Sequence, residues 1–176
     1  DTLTTAYNLA DVLSQQGRRA DAIPLRRREL AWTRQQNGDT DLGTLMSINE
    51  LAIDLRETGA LKEAEALFRE LLVARQQVLE PSDSGIGRAL GGLAKTLEKA
   101  GKLEEAAVYR LKALDHRLAH EGPDAWWTNR ERLDLARIVH KLGRSADATQ
   151  LLDALQASIT SNAEPDDDDR QLLADA

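Results

Sequence analysis

The sequence predicts an all-α fold, in which helical hairpins stack into a right-handed superhelical solenoid. The main observation is a period of 42 residues that runs through all 176 residues of the chain. A fixed period in this range is typical of arrays in which each supersecondary unit packs on the next. Two kinds of residue carry the period most clearly. They are the glycines Gly17, Gly59, Gly101 and Gly143 and the alanines Ala22, Ala64, Ala106 and Ala148.

The period divides the chain into four repeats and the beginning of a fifth. The chain opens on an aspartate at a repeat boundary, and we therefore expect it to be a segment of a longer protein. We expect one array throughout. Its units are residues 1–42, 43–84, 85–126 and 127–168, followed by the start of a further helix at residues 169–176.

The first helix of each repeat is predicted from apolar residues that share one face. In repeat one these are Ala6, Leu9, Ala10 and Leu13, at the spacing i, i+3, i+4 and i+7 of an α-helix. Gly17 follows and is predicted to end the helix, because glycine adopts the positive φ that this position needs.

The second helix is predicted over about residues 19–36 and ends before Gly38. Pro24 falls in its first turns, where proline is less costly than in mid-helix. Asp1 and Thr2 offer an N-cap for the first helix of repeat one, and Asp41 is the predicted N-cap of the first helix of repeat two. Each repeat is therefore a helical hairpin with a short turn.

Small side chains are predicted where the two helices of a hairpin cross. Ala10 and Ala22 recur at steps of 42 residues, and a leucine at either position would overpack the crossing. Aromatic residues make up only 3% of the chain. We therefore expect a core of leucine and alanine.

Composition excludes several classes of function. The net charge of −7 argues against a nucleic-acid partner, and the chain has no cysteine for a disulfide or a thiolate metal site. No apolar run approaches the roughly 20 residues that span a bilayer, and no signal peptide is visible. We expect a cytoplasmic protein with no cofactor and no membrane partner.

Short phrases of the sequence add to this pattern of small residues and glycine turns. The small residues and glycine turns resemble the tetratricopeptide repeat. The phrases, at residues 1–4, 8–10, 22–25, 64–67 and 79–81, are similar to those of its kinesin-light-chain subtype. The period of 42 residues is similar to that of the kinesin-light-chain subtype of this repeat. The resemblance covers essentially the whole chain.

The resemblance implies a non-enzymatic scaffold for protein–protein interaction. In arrays of this family the first helix of each hairpin lines a concave groove, which binds a peptide or protein segment. The positions that the resemblance places in the groove are Tyr7, Asn8, Asp11, Met46, Asn49, Ile53, Arg56, Arg88, Lys95, Lys99, Arg130, Arg137 and Lys141.

The groove positions of repeats three and four are basic, although the chain as a whole is acidic. Six of them are lysine or arginine, and Glu98 is the one groove position that opposes them. A surface of one sign attracts a partner of the other sign. We therefore expect an acidic peptide or protein segment, and kinesin light chains, as the resemblance implies, bind such segments.

Two alternatives stay open from sequence alone. Acids from neighbouring helices could pair with these cations, which would remove the preference for an anion. The array could also be a structural or regulatory segment of a larger multidomain protein of bacterial type. Its groove would then be filled in cis or by self-association through exposed terminal repeats.

The tryptophans are predicted to serve packing. Trp126 and Trp127 precede the first helix of repeat four, where they are expected to pack on the preceding unit. An exposed anchor for a partner is the alternative. Trp32 lies on a second helix and is expected to fill a gap between repeats.

No catalytic or metal-binding motif is visible. His116 and His120 share a helix face but have no evident third ligand. The acidic run at residues 166–169 lacks the ligand spacing of a calcium loop and is predicted to be a solvated loop that caps the next helix. These features predict a protein that is not an enzyme.

Overall fold

The computed structural model of the protein describes residues 2–161 and 167–176, and within them all regular secondary structure is α-helical. The prediction of an all-α fold is confirmed. The predicted cap at Asp1 lies outside the described residues. The helices are α1 (Thr2–Gln15), α2 (Arg19–Asn37), α3 (Leu42–Glu57), α4 (Leu61–Val78), α5 (Ser84–Lys99), α6 (Leu103–His120), α7 (Trp126–Lys141), α8 (Ser145–Ser161) and α9 (Asp167–Ala174).

The helices form two compact units, unit 1 (Asp1–Pro81) and unit 2 (Ser82–Ala176). In unit 1, α2 packs against both α1 and α3, and α3 packs against α4. In unit 2, α6 packs against both α5 and α7, and α7 packs against α8 and α9. Each unit therefore consists of helical hairpins in which neighbours along the chain are neighbours in space.

The turns within the hairpins have the predicted geometry. Gly17 has a φ of 78°, in the left-handed region that a side chain with a β-carbon rarely adopts. The amide of Arg18 donates to the carbonyl of Leu13 at 2.8 Å, which satisfies one of the last carbonyls of α1. Glycines 42, 84 and 126 residues further along also have positive φ.

Aspartates cap two of the first helices. Asp41 Oδ1 accepts hydrogen bonds from the amides of Gly43 (2.9 Å) and Thr44 (3.3 Å) at the start of α3, as predicted. Asp83 Oδ1 accepts from the amide of Gly85 (2.7 Å) at the start of α5. These bonds satisfy amides that have no partner within the helix.

Alanine occupies the predicted crossings. Ala10 and Ala22 in the first hairpin, and Ala64 and Ala106 in later ones, are fully buried. Close approach of the two helices leaves no room for a larger side chain at these positions.

The core is nevertheless not made of leucine and alanine alone, as the sequence had suggested. Arginine side chains are buried in both units. Arg26 and Arg110 pair with carboxylates of adjacent helices, and Arg132 donates to a backbone carbonyl, which offsets the cost of burying these charges. Trp32, predicted to fill a gap, is instead 42% exposed. The buried arginines are Arg26, Arg56, Arg75, Arg110, Arg117 and Arg132.

Candidate functional site

In unit 2, α5 and α7 lie side by side and present a shared surface. Lys141 Nζ at the end of α7 donates to Glu98 Oε1 at the end of α5, at 2.7 Å. Near the middle of the helices, a β-carbon added to Gly91 would lie 3.0 Å from Glu131 Oε1. We call this surface the α5–α7 face; its basic residues are Arg88, Lys95 and Lys99 on α5 and Arg130, Arg137 and Lys141 on α7.

Most cations of the α5–α7 face are open to solvent. The side chains of Arg130, Arg137 and Lys141 are 36%, 42% and 53% exposed. Arg88 is also exposed and forms no ion pair with any of the described residues. A ligand could therefore reach these groups without any helix moving.

Two aspartates, besides Glu98, oppose these cations. Asp134 lies one turn from Arg130 (3.5 Å) and from Arg137 (3.9 Å) on α7. Asp175, just beyond α9, lies 3.9 Å from Arg130 and 4.0 Å from Arg137. Glu98 is the one acid among the predicted groove positions, but these two aspartates approach the cations from outside those positions. Asp134 was missed because it lies outside the positions that the family pattern places in the groove.

The approach of α9 to the α5–α7 face follows from apolar packing. Leu172 of α9 is buried in a cluster with Leu133, Leu155 and Ile159. This packing brings the end of α9 onto α7, where Arg137 Nη2 donates to the backbone carbonyl of Asp175 at 2.6 Å. Arg137 thus already holds an oxygen acceptor.

A buried ion pair lies beneath this face. Arg110 Nη1 on α6 is 2.8 Å from Glu131 Oε2 and 3.4 Å from Asp134 Oδ2, both on α7. Burial raises the pKa of Glu131 above its usual range, and the positive charge of Arg110 only partly opposes this effect. The pair fixes the position of α7 beside α6.

A larger charged cluster occupies the corresponding part of unit 1. Arg26 on α2 is 1% exposed and hydrogen-bonds to Asp11 on α1. It also lies 3.6 Å from Glu29, 3.6 Å from Asp54 and 4.0 Å from Glu50. Sequence reasoning missed this cluster, although Arg26 and Arg110 stand at equivalent positions 84 residues apart, which was an available signal.

The predicted groove residues of unit 1 have different environments. Met46 is 55% exposed, Asn8 is exposed, and Asn49 Nδ2 donates to Glu50 Oε1 at 3.1 Å. Tyr7 and Ile53 are half-buried, and the guanidinium of Arg26 lies 5.3 Å from the centre of the Tyr7 ring.

Arg56 is the predicted groove residue with the least exposure. Its side chain is 9% exposed, its guanidinium lies 5.6 Å from the centre of the Phe68 ring, and Nε donates to Glu57 at 2.9 Å. The carboxylates of Asp11 and Glu50 are 37% exposed. Among the predicted groove positions of unit 1, the acidic side chain of Asp11 is therefore more accessible than the basic side chain of Arg56.

The two adjacent tryptophans differ in exposure. Trp126 packs against the cluster of Leu133, Leu155, Ile159 and Leu172, which lies on α7, α8 and α9. Trp127 is 52% exposed, and the guanidinium of Arg117 from the preceding hairpin lies 5.5 Å from its ring.

No group of three histidine, cysteine, aspartate or glutamate side chains could hold a metal ion in the part of the chain that the structure describes. The acidic run at 166–169, predicted to be a loop, overlaps the start of α9 at Asp167, whereas Asp166 lies outside the described residues. Among the described helices, none is both long enough and apolar enough to span a membrane.

Comparison with known families and structures gives consistent results. The model of the tetratricopeptide repeat matches residues 1–77 and 46–119. A Podospora anserina protein described as a kinesin light chain with nearly identical TPR-like repeats has a TM-score of 0.84 and 18% sequence identity, over 98% of this chain and 84% of that chain. No curated protein sequence gives a significant match.

Two further structures share the fold. BtubC (BKLC) from P. vanneervenii has a TM-score of 0.81 and 18% identity, over 93% of this chain and 66% of that chain. The Rap protein complexed with competence and sporulation factor has a TM-score of 0.74 and 18% identity, over 96% of this chain and 45% of the Rap chain. The all-α hairpins of this chain are therefore of the tetratricopeptide type.

Proposed function

The chain belongs to the tetratricopeptide repeat family, and we propose that it is a non-enzymatic interaction module that binds an acidic segment of a partner protein on the α5–α7 face. The observation that carries the proposal is the set of exposed cations on that face, in a chain whose net charge is −7. Local concentration of one charge sign on an oppositely charged protein favours a complementary partner.

The acids on this face do not remove its capacity to bind an anion. The ion pairs of Arg130 and Arg137 with Asp134 and Asp175 span 3.5 to 4.0 Å, longer than a direct hydrogen bond. Ion pairs near the surface contribute only about 0–1 kcal/mol each, and the two arginines here are 36% and 42% exposed. A carboxylate of a ligand can therefore take the place of Asp134 or Asp175 at little cost. Arg88 forms no ion pair with a described residue, so a ligand that binds it displaces no such acid.

The contact of Arg137 with the carbonyl of Asp175 indicates how a ligand would be held. Its guanidinium presents several N–H donors in one plane, and one of them already binds an oxygen acceptor at 2.6 Å. Carboxylates accept two such bonds at once. The fold itself allows another molecule to bind, as in the complex of the Rap protein with competence and sporulation factor.

Fluorescence anisotropy tests the proposal. Labelled acidic, neutral and basic peptides, with and without tryptophan, are titrated with the protein at two salt concentrations. We expect binding of the acidic peptides alone, weakened by salt because exposed charges are screened over about 10 Å at 0.1 M. Arg88→Glu should weaken this binding.

The matched control is Arg28→Glu, which makes the same charge change at an exposed position on α2 in unit 1. If Arg88→Glu and Arg28→Glu weaken binding equally, the effect comes from net charge, and the α5–α7 face is not the site. If acidic peptides bind no better than basic ones, the proposed specificity is wrong.

A second candidate function, self-association, has its own observation. Leu9 and Val12 on α1 are 48% and 46% exposed, whereas Leu51, Leu93 and Leu135, at steps of 42 residues from Leu9, are buried. A hairpin of a second copy could cover this face of α1. A molecular mass that rises with concentration, and that Leu9→Lys returns to the monomer value, would support this candidate.

A further inference from the structure

A second surface of unit 2, on the side of the second helices, forms an open apolar groove. Its walls are α6 and α8, and its floor is α7. We call it the α6–α8 groove; it has a volume of about 820 Å³. Its apolar lining includes Val108, Leu111 and Leu118 on α6, Leu135 and Val139 on α7, and Leu151 on α8.

Large apolar side chains in this groove are open to solvent. Val108 is 52% exposed, Leu111 is 48% exposed and Leu118 is 37% exposed. They occur at the spacing of one helix face, and the residues from Glu104 to Leu118 extend along α6 for roughly 21 Å at about 1.5 Å per residue. A helix of about four turns would match this length.

The equivalent gap in unit 1 is bridged by ion pairs. Arg27 Nη2 on α2 donates to both carboxylate oxygens of Glu63 on α4, at 2.9 and 2.7 Å. About two helical turns further along, Arg34 of α2 pairs with Glu70 of α4. The gap between α2 and α4 is thus spanned by charged side chains.

Unit 2 has lost these bridges by substitution at the same repeat positions. A shift of 84 residues places Leu111 at the position of Arg27 and Leu118 at that of Arg34. The same shift places Asp147 at the position of Glu63 and Ala154 at that of Glu70. Both arginines are therefore replaced by leucine, which removes the bridge and leaves an apolar surface in its place.

The charges around the groove indicate which charge a bound helix should carry. Arg144 pairs with Asp147 at 2.6 Å, so these two charges cancel. Glu104 lines the groove, and Asp115, outside the lining, follows Leu111 by four residues on α6 and precedes Leu118 by three. Both side chains are exposed and form no ion pair with a described residue. Arg132 also lines the groove but is buried, and it donates to the carbonyl of Pro123 at 2.6 Å. The exposed and unpaired charge of the groove lining is therefore the negative charge of Glu104.

We infer that the α6–α8 groove binds a basic amphipathic helix of a partner protein. The apolar stripe of that helix would lie on Val108, Leu111 and Leu118, and its lysine or arginine residues would face Glu104 and Asp115. An amphipathic helix that binds in an apolar groove places apolar side chains at positions i, i+3, i+4 and i+7 into the groove. The site is on other helix faces than the α5–α7 face and does not depend on the function proposed for that face.

Three helical peptides of four turns serve as probes. One has leucines at this spacing with lysines on the flanks, the second has the same leucines with glutamates, and the third is a scrambled version of the first. Binding to the full chain is measured by anisotropy at low salt. We expect the lysine peptide to bind, and the glutamate and scrambled peptides to bind at least roughly tenfold more weakly.

A variant that rebuilds the bridges of unit 1 provides the central test. The triple substitution Leu111→Arg, Leu118→Arg and Ala154→Glu restores, together with Asp147, the charges found between α2 and α4. We expect it to fold, as judged by circular dichroism, and to bind the lysine peptide roughly tenfold more weakly. If it does not fold, Glu104→Lys on the exposed edge is used in its place.

The reverse substitutions in unit 1 test whether a binding groove can be created between α2 and α4. Arg27→Leu, Arg34→Leu and Glu70→Ala should give a second site for the lysine peptide. Arg88→Glu, on the α5–α7 face, should leave binding of the lysine peptide unchanged, so failure of this inference and failure of the proposed function are distinguishable.

Three outcomes would overturn the inference. The first is equal binding of the lysine and glutamate peptides, and the second is no binding of the lysine peptide at millimolar concentration. The third is a dimer of the chain that the triple substitution dissociates, since a second copy would then be the occupant instead of a basic partner helix.

Discussion

Arg110 and Glu131 form a buried ion pair between α6 and α7, with 2.8 Å between Nη1 and Oε2. Their side chains are 5% and 7% exposed. In unit 1, 84 residues earlier, the equivalent positions are Arg26 and Ser47, and Ser47 donates to Glu29 at 2.9 Å. Arg26 and Arg110, at equivalent positions of the two units, are therefore buried against different partners.

The raised pKa of Glu131 predicts a specific dependence of stability on pH. The folded state binds the proton more tightly than the unfolded chain, whose glutamate has a pKa of about 4.3. The contribution of Glu131 to stability should therefore rise as the pH falls through the folded pKa towards the unfolded one. At higher pH the ionised, buried carboxylate is less favourable.

Glu131→Gln isolates this contribution. We expect the free energy of unfolding of the wild type, relative to Glu131→Gln, to increase as the pH is lowered from neutral towards 5 and below. Urea denaturation at a series of pH values measures it. A difference that does not change with pH, or that changes in the opposite direction, would show that Arg110 outweighs burial.

Arg26→Met should strongly destabilise unit 1. It leaves Glu29 and Asp54 buried with fewer positive charges, although Arg19 still contacts Asp54 at 2.6 Å. Removal of one member of a buried ion pair costs about 3–5 kcal/mol. The midpoint of urea unfolding, followed by circular dichroism, should fall accordingly.

Arg27→Met is the matched control, one residue further along α2. The side chain of Arg27 is 53% exposed and pairs with Glu63, so its removal should cost only about 0–1 kcal/mol. Equal effects of the two substitutions would mean that the buried cluster does not hold α1, α2 and α3 together.

Ala64→Leu should overpack the crossing of α3 and α4. Ala64 is fully buried, and added methylene groups in a packed core cost about 1–3 kcal/mol. Ala66→Leu, two residues further on an exposed position of the same helix, adds the same atoms in solvent. A loss of thermal stability in Ala64→Leu alone is expected; the same small effect in both would argue against close helix approach at Ala64.

Glu98→Gln should strengthen the binding of an acidic peptide to the α5–α7 face. Glu98 pairs with Lys141, and its loss leaves that ammonium group available to a ligand. Because an exposed pair is worth about 0–1 kcal/mol, affinity should increase by up to about fivefold. Anisotropy with the acidic peptide measures the change.

Glu104→Gln is the control for net charge, since Glu104 lies on the α6–α8 groove and not on the α5–α7 face. An equal gain of affinity in Glu104→Gln would indicate a long-range effect of charge. Unchanged affinity in Glu98→Gln would indicate that Lys141 does not contact the ligand.

Much of the fold could be predicted from local patterns. The positive φ of Gly17, the caps at Asp41 and the burial of Ala22 each follow from a requirement at one position, either a left-handed turn, an unsatisfied amide or a close crossing. The residue type at one position is enough to indicate such a requirement, because it does not depend on distant parts of the chain. The periodic apolar positions then predict that helices pair and pack in order.

The candidate site could be predicted only in part. The family pattern identified the cations of the α5–α7 face, but not Asp134 and Asp175, which lie beside them. Asp134 was not among the predicted groove residues, because the family pattern assigns only certain positions of each first helix to the groove. Asp175 reaches Arg137 because Leu172 packs into the core of unit 2, and no local pattern describes that contact.

By itself the sequence determined the helical hairpins, their period and their turns, because these depend on side-chain size, helical spacing and glycine at defined intervals. The tertiary structure decided which charges meet. Arg26 is buried among four acids, Arg34 bridges to Glu70, and Leu118, at the position equivalent to Arg34, opens a groove instead. These differences arise from side chains that come from separate helices, and the environment of each one exists only after the helices have packed.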